Sequence, residues 1–363
     1  MLRVLHIFRE MENGGVSSFV MNNYRHIDRS RVQFDFLTAV PEDGFFDDEI
    51  KSLGGKLYKT ASLERTPIQH YKEVAKIVKE NSYQIVHRHT GSAFGYYDLR
   101  AARAGGAKHL ILHSHNPEAG RKAVHLVSKK ILKLNCIKLA CSRDSGEFLF
   151  GTNSNFTVFN NSIDCEKYRF RNELREKLRN EMNLRDCFVV GHIGRFEQQK
   201  NHDFLVDIFY QIKKRNQNSK LICIGDGELQ SQIKEKVDNL NISGDVIFLG
   251  SIGNVDELIN VFDVFCLPSL YEGFSITQIE AQTNGLKCYV SAEKIPEETN
   301  ITGNVSFISL NESPEKWAEI IMGSNNQRDL NAINIVKEKK YDINSNAYEL
   351  MAFYESLGVS DSN

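Results

Sequence analysis

The chain has 363 residues, a formal charge of −2 and 25% charged side chains, with a pI near 6.6. That length asks for about two domains of ordinary size, and the near-neutral balance excludes a dedicated nucleic-acid binder, which carries a basic excess. Seven cysteines, odd in number, mostly inside apolar runs and without a Cys-x-x-Cys pair, read as reduced, buried thiols of a cytoplasmic protein.

The N-terminal run MLRVLHIF stops at Arg9 and Glu10 and lacks the h-region of a signal peptide. No stretch reaches the roughly 18 uncharged apolar residues that span a bilayer. The expectation is a cytoplasmic protein, at most peripheral at the inner face of the membrane.

Short runs rich in Val, Ile, Leu and Phe alternate with helix-period segments. Strands are expected at 2–8, 32–39, 84–89, 109–115 and 137–142, with helices at 15–27, 67–80, 94–104 and 121–134 between them. A second series follows, with strands at 188–194, 220–225, 246–250, 264–268 and 287–291 and helices at 201–215, 228–239, 254–261 and 275–284. Between the series, polar turn residues and a charged helix place a boundary near Asp164, giving domains 1–164 and 165–340. The amphipathic segment 341–357 is expected as a C-terminal helix that can pack on either domain, a return to the N-terminal one included. This is an α/β pattern of two doubly wound, Rossmann-like domains. Facing each other they enclose an interdomain cleft, with ligands outside the carboxyl ends of the strands.

The informative residues fall on those loops. In VFCLPSLYEGFSITQIEAQTNG a buried strand gives way to a turn and then a helix beginning near Ser275, with Glu272 on the loop and Glu280 in the second helical turn. The free amides of Phe274, Ser275 and Ile276 at the helix start suit a diphosphate, and a carboxylate beside it suits vicinal ribose hydroxyls. In VVGHIGRFEQQKNHDFL, Arg195 closes a strand and Lys200 precedes a helix, so both cations sit at the same sheet edge. Alone, such charges read as solvated surface groups; their shared position is what points to a site.

The first loop holds Gly14 and Gly15, which let a ligand approach backbone closely. It lacks the Gly-x-Gly-x-x-Gly of a dinucleotide fold, and GDGELQ at 225–230 also lacks the third glycine, so a tight turn is the plain reading of each. His87 with His89, and His113 with His115, end two strands on one face each. With no acidic or cysteine partner at ligand spacing, they read as cleft histidines for sugar hydroxyls rather than a zinc site. No Asp-x-Asp is present to hold a metal-bound diphosphate, so no metal and no cofactor are expected.

These segments together resemble the retaining glycosyltransferases of family four, with the fold called GT-B, in the exopolysaccharide and capsular-polysaccharide branch. The resemblance runs nearly the full length through NGGVSSFVMNNYRHID, QIVHRHT, LHSHN, ACSRDSGEFLFG, IGRFEQQKNHDFL, IGDGEL, VIFLGS and PSLYEGFSITQIEAQTNGL. It implies an acceptor-binding N-terminal domain and a nucleotide-sugar-binding C-terminal one. It further implies Arg195 and Lys200 on the diphosphate, Glu280 on the ribose and Glu272 on the transferred sugar. Gly15 would lie under the phosphates, and His115 near the sugar's hydroxymethyl group, with His89 among the sugar-binding histidines. Two positions depart from the family pattern without touching the donor site: Ser162 stands where glycine is usual and Lys287 where proline is common.

The implied activity is metal-independent, retaining transfer of a hexose or N-acetylhexosamine from a nucleotide diphosphate sugar, a UDP-sugar in the first place, to a saccharide acceptor. A lipid-linked acceptor is favoured by AGRKAVHLVSKKILKLNCIK, where Arg121, Lys122, Lys129, Lys130, Lys133 and Lys138 have no acidic residue among them. A basic amphipathic helix of this kind over 121–138 can lie on an anionic membrane. Competing readings are a nucleotide-sugar epimerase of the same fold and a non-enzymatic, two-lobed sugar-binding protein.

Overall fold

The computed structural model describes residues 1–11, 15–40, 42–116, 122–272, 274–293 and 295–359. The chain divides into two compact units, Met1–Ser162 with Ile343–Asn363, and Ile163–Asp342. In the first, seven strands form a wholly parallel sheet in the order β3-β2-β1-β4-β5-β6-β7. They are β1 (Leu2–Phe8), β2 (Val32–Thr38), β3 (Leu57–Lys59), β4 (Ile85–Thr90), β5 (His109–Ser114), β6 (Ile137–Ala140) and β7 (Thr157–Val158). In the second, six parallel strands run β10-β9-β8-β11-β12-β13. They are β8 (Phe188–Ile193), β9 (Ser219–Ile224), β10 (Val246–Gly250), β11 (Val264–Leu267), β12 (Lys287–Ser291) and β13 (Val305–Ile308).

Each order reverses direction between the first and fourth strands of its series, which makes the β1/β4 and β8/β11 edges the topological switch points where doubly wound sheets take ligands. Burial on both faces explains why these strands read as continuous apolar runs rather than as alternation. Val264, Phe265, Cys266 and Leu267 of β11 are all fully buried.

The helices are built by period and by caps. Helix Pro67–Glu80 begins with proline at its first turn and buries His70, Val74 and Val78 at four-residue spacing. Helix Ile343–Val359 belongs to the first unit, where Ala347, Leu350, Met351 and Tyr354 join the core around Tyr24, Phe34 and Phe36. Asn346 Nδ2 donates to Asn160 O at 2.7 Å, and Arg31 pairs with Glu355 at 2.6 Å. Burying those four side chains offsets the ordering cost at roughly 25 cal/mol per Å² of apolar area.

Several elements escape the sequence pattern. Strand β6 ends at Ala140 because Ser142 caps helix Arg143–Phe150 in a reciprocal box with Ser145, a helix the apolar pattern did not announce. The strands β3 and β13 and the helices Asp47–Ser52, Pro314–Gly323 and Ala332–Glu338 were likewise outside the expected set. The basic helix spans Lys122–Ile131; Arg121 lies outside the described residues. Among the described residues, no helix is long and apolar enough to cross a membrane.

Candidate active site

Of the residues singled out in the second unit, Lys200 and Glu272 meet at the β8/β11 switch point, while Arg195 sits on the loop after β8 beside Glu197 and Glu280 lies in the helix after β11, against Tyr168. Past β8, Gly194 N donates to Ile224 O and Phe196 N to Asp226 O, each at 2.9 Å, so the loop carrying Arg195 is stitched to the exit of β9. Gly225 makes this possible: its φ is +136°, and a Cβ there would stand 2.1 Å from Gly194 O. The GDGEL turn is thus a clamp on the Arg195 loop, a role its spacing alone did not reveal. Arg195 Nε contacts Glu197 Oε1 at 2.9 Å and remains two-thirds exposed, free to be drawn to an anion.

Lys200 lies one turn further. Asn201, in a left-handed conformation (φ 54°), starts helix His202–Arg215, and its Nδ2 donates to Pro268 O at 3.1 Å, tying this loop to the exit of β11. Leu270 N completes the tie by donating to Gln199 O at 2.7 Å. Lys200 Nζ then donates to Glu272 Oε1 at 2.6 Å, and Ser269 Oγ donates to the same oxygen at 2.7 Å. Both partners are largely buried, so the pair is short, charge-assisted and oriented. Among the described residues, Glu272 Oε2 has only a 3.5 Å contact with Gln199 Nε2 and keeps acceptor capacity for a hydroxyl. Ser269 and Gln199, absent from the sequence-level site, are what orient the carboxylate.

Helix Ile276–Thr283 begins one residue later than expected: Ser275 is its cap residue, with no side-chain cap hydrogen bond. The orphan amides therefore run from Ser275 through Gln278, and Phe274 stands just outside them, its ring stacked on Tyr341 at 5.4 Å. Gly273 lies outside the described residues. Glu280 keeps some accessible surface, yet protein packs around its carboxyl closely enough that desolvation raises its pKa to about 7, opposed by a hydrogen bond from Tyr168. A carboxyl held there is poised between its two forms near neutrality.

In the first unit, Gly15 opens helix Gly15–His26, and a Cβ there would meet no protein atom within 4 Å. Packing therefore places no demand for glycine at this position; Glu12, Asn13 and Gly14 lie outside the described residues. The histidines are not a loose lining. The β4/β5 register sets His89 opposite His113, and His6 of β1 joins them. Two hydrogen-bonded chains result. One runs His6 Nδ1 to His89 Nε2 at 3.0 Å and His89 Nδ1 to His115 Nε2 at 2.9 Å. The other runs Tyr354 Oη to His87 Nδ1 at 2.6 Å and His87 Nε2 to His113 Nδ1 at 3.1 Å.

His87 and His113 are fully buried, and His115 is the most accessible of the five at 7%. Burial keeps the rings neutral, lowering His6 and His115 to about 3. As a group for sugar hydroxyls this needs correction: both ring nitrogens of His89 are taken by His6 and His115, and His87 and His113 are sealed in the core. Of the five rings, His115 keeps the most accessible surface, and His89 is hydrogen-bonded to it. His6 and Tyr354 were invisible as members of the group because only strand order and the returning C-terminal helix bring them in.

The sequence profile of the family described as "Glycosyl transferases group 1" matches residues 174–339. The glycosyltransferase EpsF of Bacillus subtilis is 36% identical over 334 residues, covering 88% of this chain and 86% of that protein. The Escherichia coli "UDP-Gal:alpha-D-GlcNAc-diphosphoundecaprenol alpha-1,3-galactosyltransferase" is 29% identical over 295 residues, covering 75% of this chain and 73% of its own length. Among solved structures, Anabaena Alr3699/HepE in complex with UDP superposes with a TM-score of 0.79 at 18% identity, covering 98% of this chain and all of that one.

Proposed function

The chain belongs to the group 1 glycosyltransferases and has the GT-B fold, and we propose that it is a retaining, metal-independent enzyme that moves a hexose or N-acetylhexosamine from a UDP-sugar to a lipid-linked saccharide in surface-polysaccharide assembly. Family membership replaces the epimerase and sugar-binding-protein readings. The observation that carries the proposal is the pairing of Lys200 with Glu272 where the exits of β8 and β11 meet, beside the open start of helix Ile276–Thr283.

In this reading the acceptor oxygen bonds to the anomeric carbon while the bond from that carbon to the diphosphate breaks on the same face. The electron pair leaves on the phosphate oxygen, which then takes the acceptor's proton. Arg195, Lys200 and the Ser275 and Ile276 amides stabilise the charge growing on the leaving group, with Phe274 shaping the loop beside them. Each well-placed donor of this kind is worth roughly 2.7 to 4 kcal/mol. Gly15 carries no Cβ to keep a phosphate from the backbone, and His115, oriented by His89, meets a sugar hydroxyl. UDP as the nucleotide is supported by the names of the E. coli relative and of the HepE complex. Release of UDP from a panel of UDP-sugars should survive excess EDTA, since these fixed cations do the work of a metal. Complete loss on chelation, rescued by magnesium or manganese, would overturn metal independence.

The lipid-linked acceptor is supported by helix Lys122–Ile131, whose amphipathicity is inverted. His125 and Ser128 face inward, while Val124, Leu126, Val127 and Ile131 are exposed at 40, 61, 55 and 67% among Lys122, Lys130 and Lys133. Apolar side chains turned outward beside lysines fit an anionic bilayer, each lysine near the surface contributing about 1 kcal/mol. The E. coli relative is named for a diphosphoundecaprenol-linked sugar acceptor. In flotation with phosphatidylglycerol-rich vesicles the protein should bind at low salt and release as salt rises, with Leu126→Glu weakening binding. Absence of binding at low salt would remove the argument.

A further inference from the structure

We propose that His89, His113 and His115 form a binding site for one divalent ion of the zinc class. One ring nitrogen from each lies within 4.8 Å of those of the other two. The strand register supplies this geometry, because His89 pairs with His113 across β4 and β5 and His115 follows His113 by two residues on the same face.

The hydrogen bonding of the cluster decides which nitrogens face an ion. Among the described residues His113 Nε2 is buried without a partner, an expensive state for a polar atom and the one a metal would relieve. With Nε2 as ligand, His113 keeps its proton on Nδ1 and donates to His87 Nε2 at 3.1 Å. His89, ligating through Nδ1, keeps its proton on Nε2 and donates to His6 Nδ1 at 3.0 Å. His115, ligating through Nε2, keeps its proton on Nδ1. Each ring stays neutral, each ligating nitrogen offers its lone pair, and His6 and His87 become the outer groups that fix ring orientation, the arrangement metal-bound histidines ordinarily have.

One of the three ligand separations is already close to that around a bound ion. His89 Nδ1 and His115 Nε2 stand 2.9 Å apart, whereas a tetrahedral ion with zinc–nitrogen bonds of about 2.0–2.1 Å holds its ligands about 3.3–3.4 Å apart. This pair opens by a few tenths of an ångström and gives up its hydrogen bond, while the separations to the His113 ring, which lie within 4.8 Å, close toward the same value on binding. Three imidazoles with no carboxylate select zinc, copper, nickel or cobalt over magnesium and calcium, and leave a fourth position for water. His115, the most accessible of the three, marks the entry side. The ion is not a partner of the diphosphate, whose charge Arg195 and Lys200 address, so binding rather than sugar transfer is the readout.

The full chain, stripped with chelator and dialysed, should bind one equivalent of Zn²⁺ by titration calorimetry and none of Mg²⁺. X-ray absorption of the zinc-loaded wild type should show three imidazole nitrogens, a result that needs no variant to fold. His113→Gln and His115→Gln should each weaken binding at least a hundredfold while keeping the wild-type circular dichroism, and His6→Asn should weaken it ten- to a hundredfold through ring orientation. The proposal is overturned if zinc does not bind saturably, or if the absorption data count fewer than three imidazoles. It is equally overturned if His115→Gln binds like wild type while His6→Asn abolishes binding, which would put the ion among His6, His87 and His89.

Discussion

Glu272→Gln is expected to lower kcat about a hundredfold or more with little change in donor KM. Its carboxylate is fixed by Lys200 at 2.6 Å and Ser269 at 2.7 Å, with Oε2 left to act on the sugar. Charge builds on the anomeric carbon only during transfer, so a negative group placed there is felt in the transition state rather than in binding. Glu280→Gln should fail differently. In the role proposed for it, ribose contacts persist from ground state to transition state, so its loss should raise donor KM with a modest effect on kcat.

Glu280 also carries a pH signature. Desolvation raises its pKa to about 7, and only the ionised form accepts two ribose hydroxyls. Donor affinity should therefore rise with pH up to about 7 and level off above it, falling toward tenfold per unit on the acid side. Glu280→Gln should flatten that profile, and Glu272→Gln should leave it in place. Steady-state kinetics from pH 5.5 to 8.5 on variants that keep wild-type melting temperatures would check this. Identical profiles for the two substitutions, or a Glu272→Gln kcat within about threefold of wild type, would end the division of roles.

Gly225→Ala should cripple the site from behind. The new Cβ would stand 2.1 Å from Gly194 O and 2.8 Å from Gly194 C, at a φ of +136° that side chains rarely adopt. Backbone cannot yield as the tip of a side chain can, so the bonds that stitch the Arg195 loop to β9 must open. The expected cost is about 2–4 kcal/mol, a fall in melting temperature of roughly 4–16 °C for a unit of this size. A shift of about 1 Å in Arg195 and Lys200 should cut kcat/KM about a hundredfold. Gly244→Ala is the control, since a Cβ there meets nothing within 4 Å. Thermal melts and donor kinetics on both decide it; a Gly225→Ala protein with wild-type values for each would refute the clamp.

What could be read from sequence follows physical lines. Strands β11 and β12 fall within a residue of where their apolar runs predict, because a parallel strand buried on both faces announces itself residue by residue. Strands β3 and β13 do not, being three and four residues long and partly exposed. Arg195, Lys200 and Glu272 could be placed from sequence because each lies on a loop leaving a strand, where a doubly wound sheet takes ligands, whereas Glu280 lies in the helix that follows. That Lys200 would pair with Glu272, 72 residues on, was not legible, since it depends on β8 lying beside β11. The histidine group was half legible: the two His-x-His pairs show a shared face, but His6 and Tyr354 arrive only through strand order and the returning helix.

The central claim is retaining transfer from a nucleotide sugar, and time-resolved proton NMR of donor turnover tests it most directly. Incubated with UDP-glucose, UDP-galactose, UDP-N-acetylglucosamine and UDP-N-acetylgalactosamine in turn, with EDTA present, the protein should release UDP from at least one. The sugar first formed from that α-linked donor should be the α-anomer, ahead of mutarotation, and Glu272→Gln should suppress its appearance. No turnover of any donor, or a β-anomer appearing first, would contradict the account.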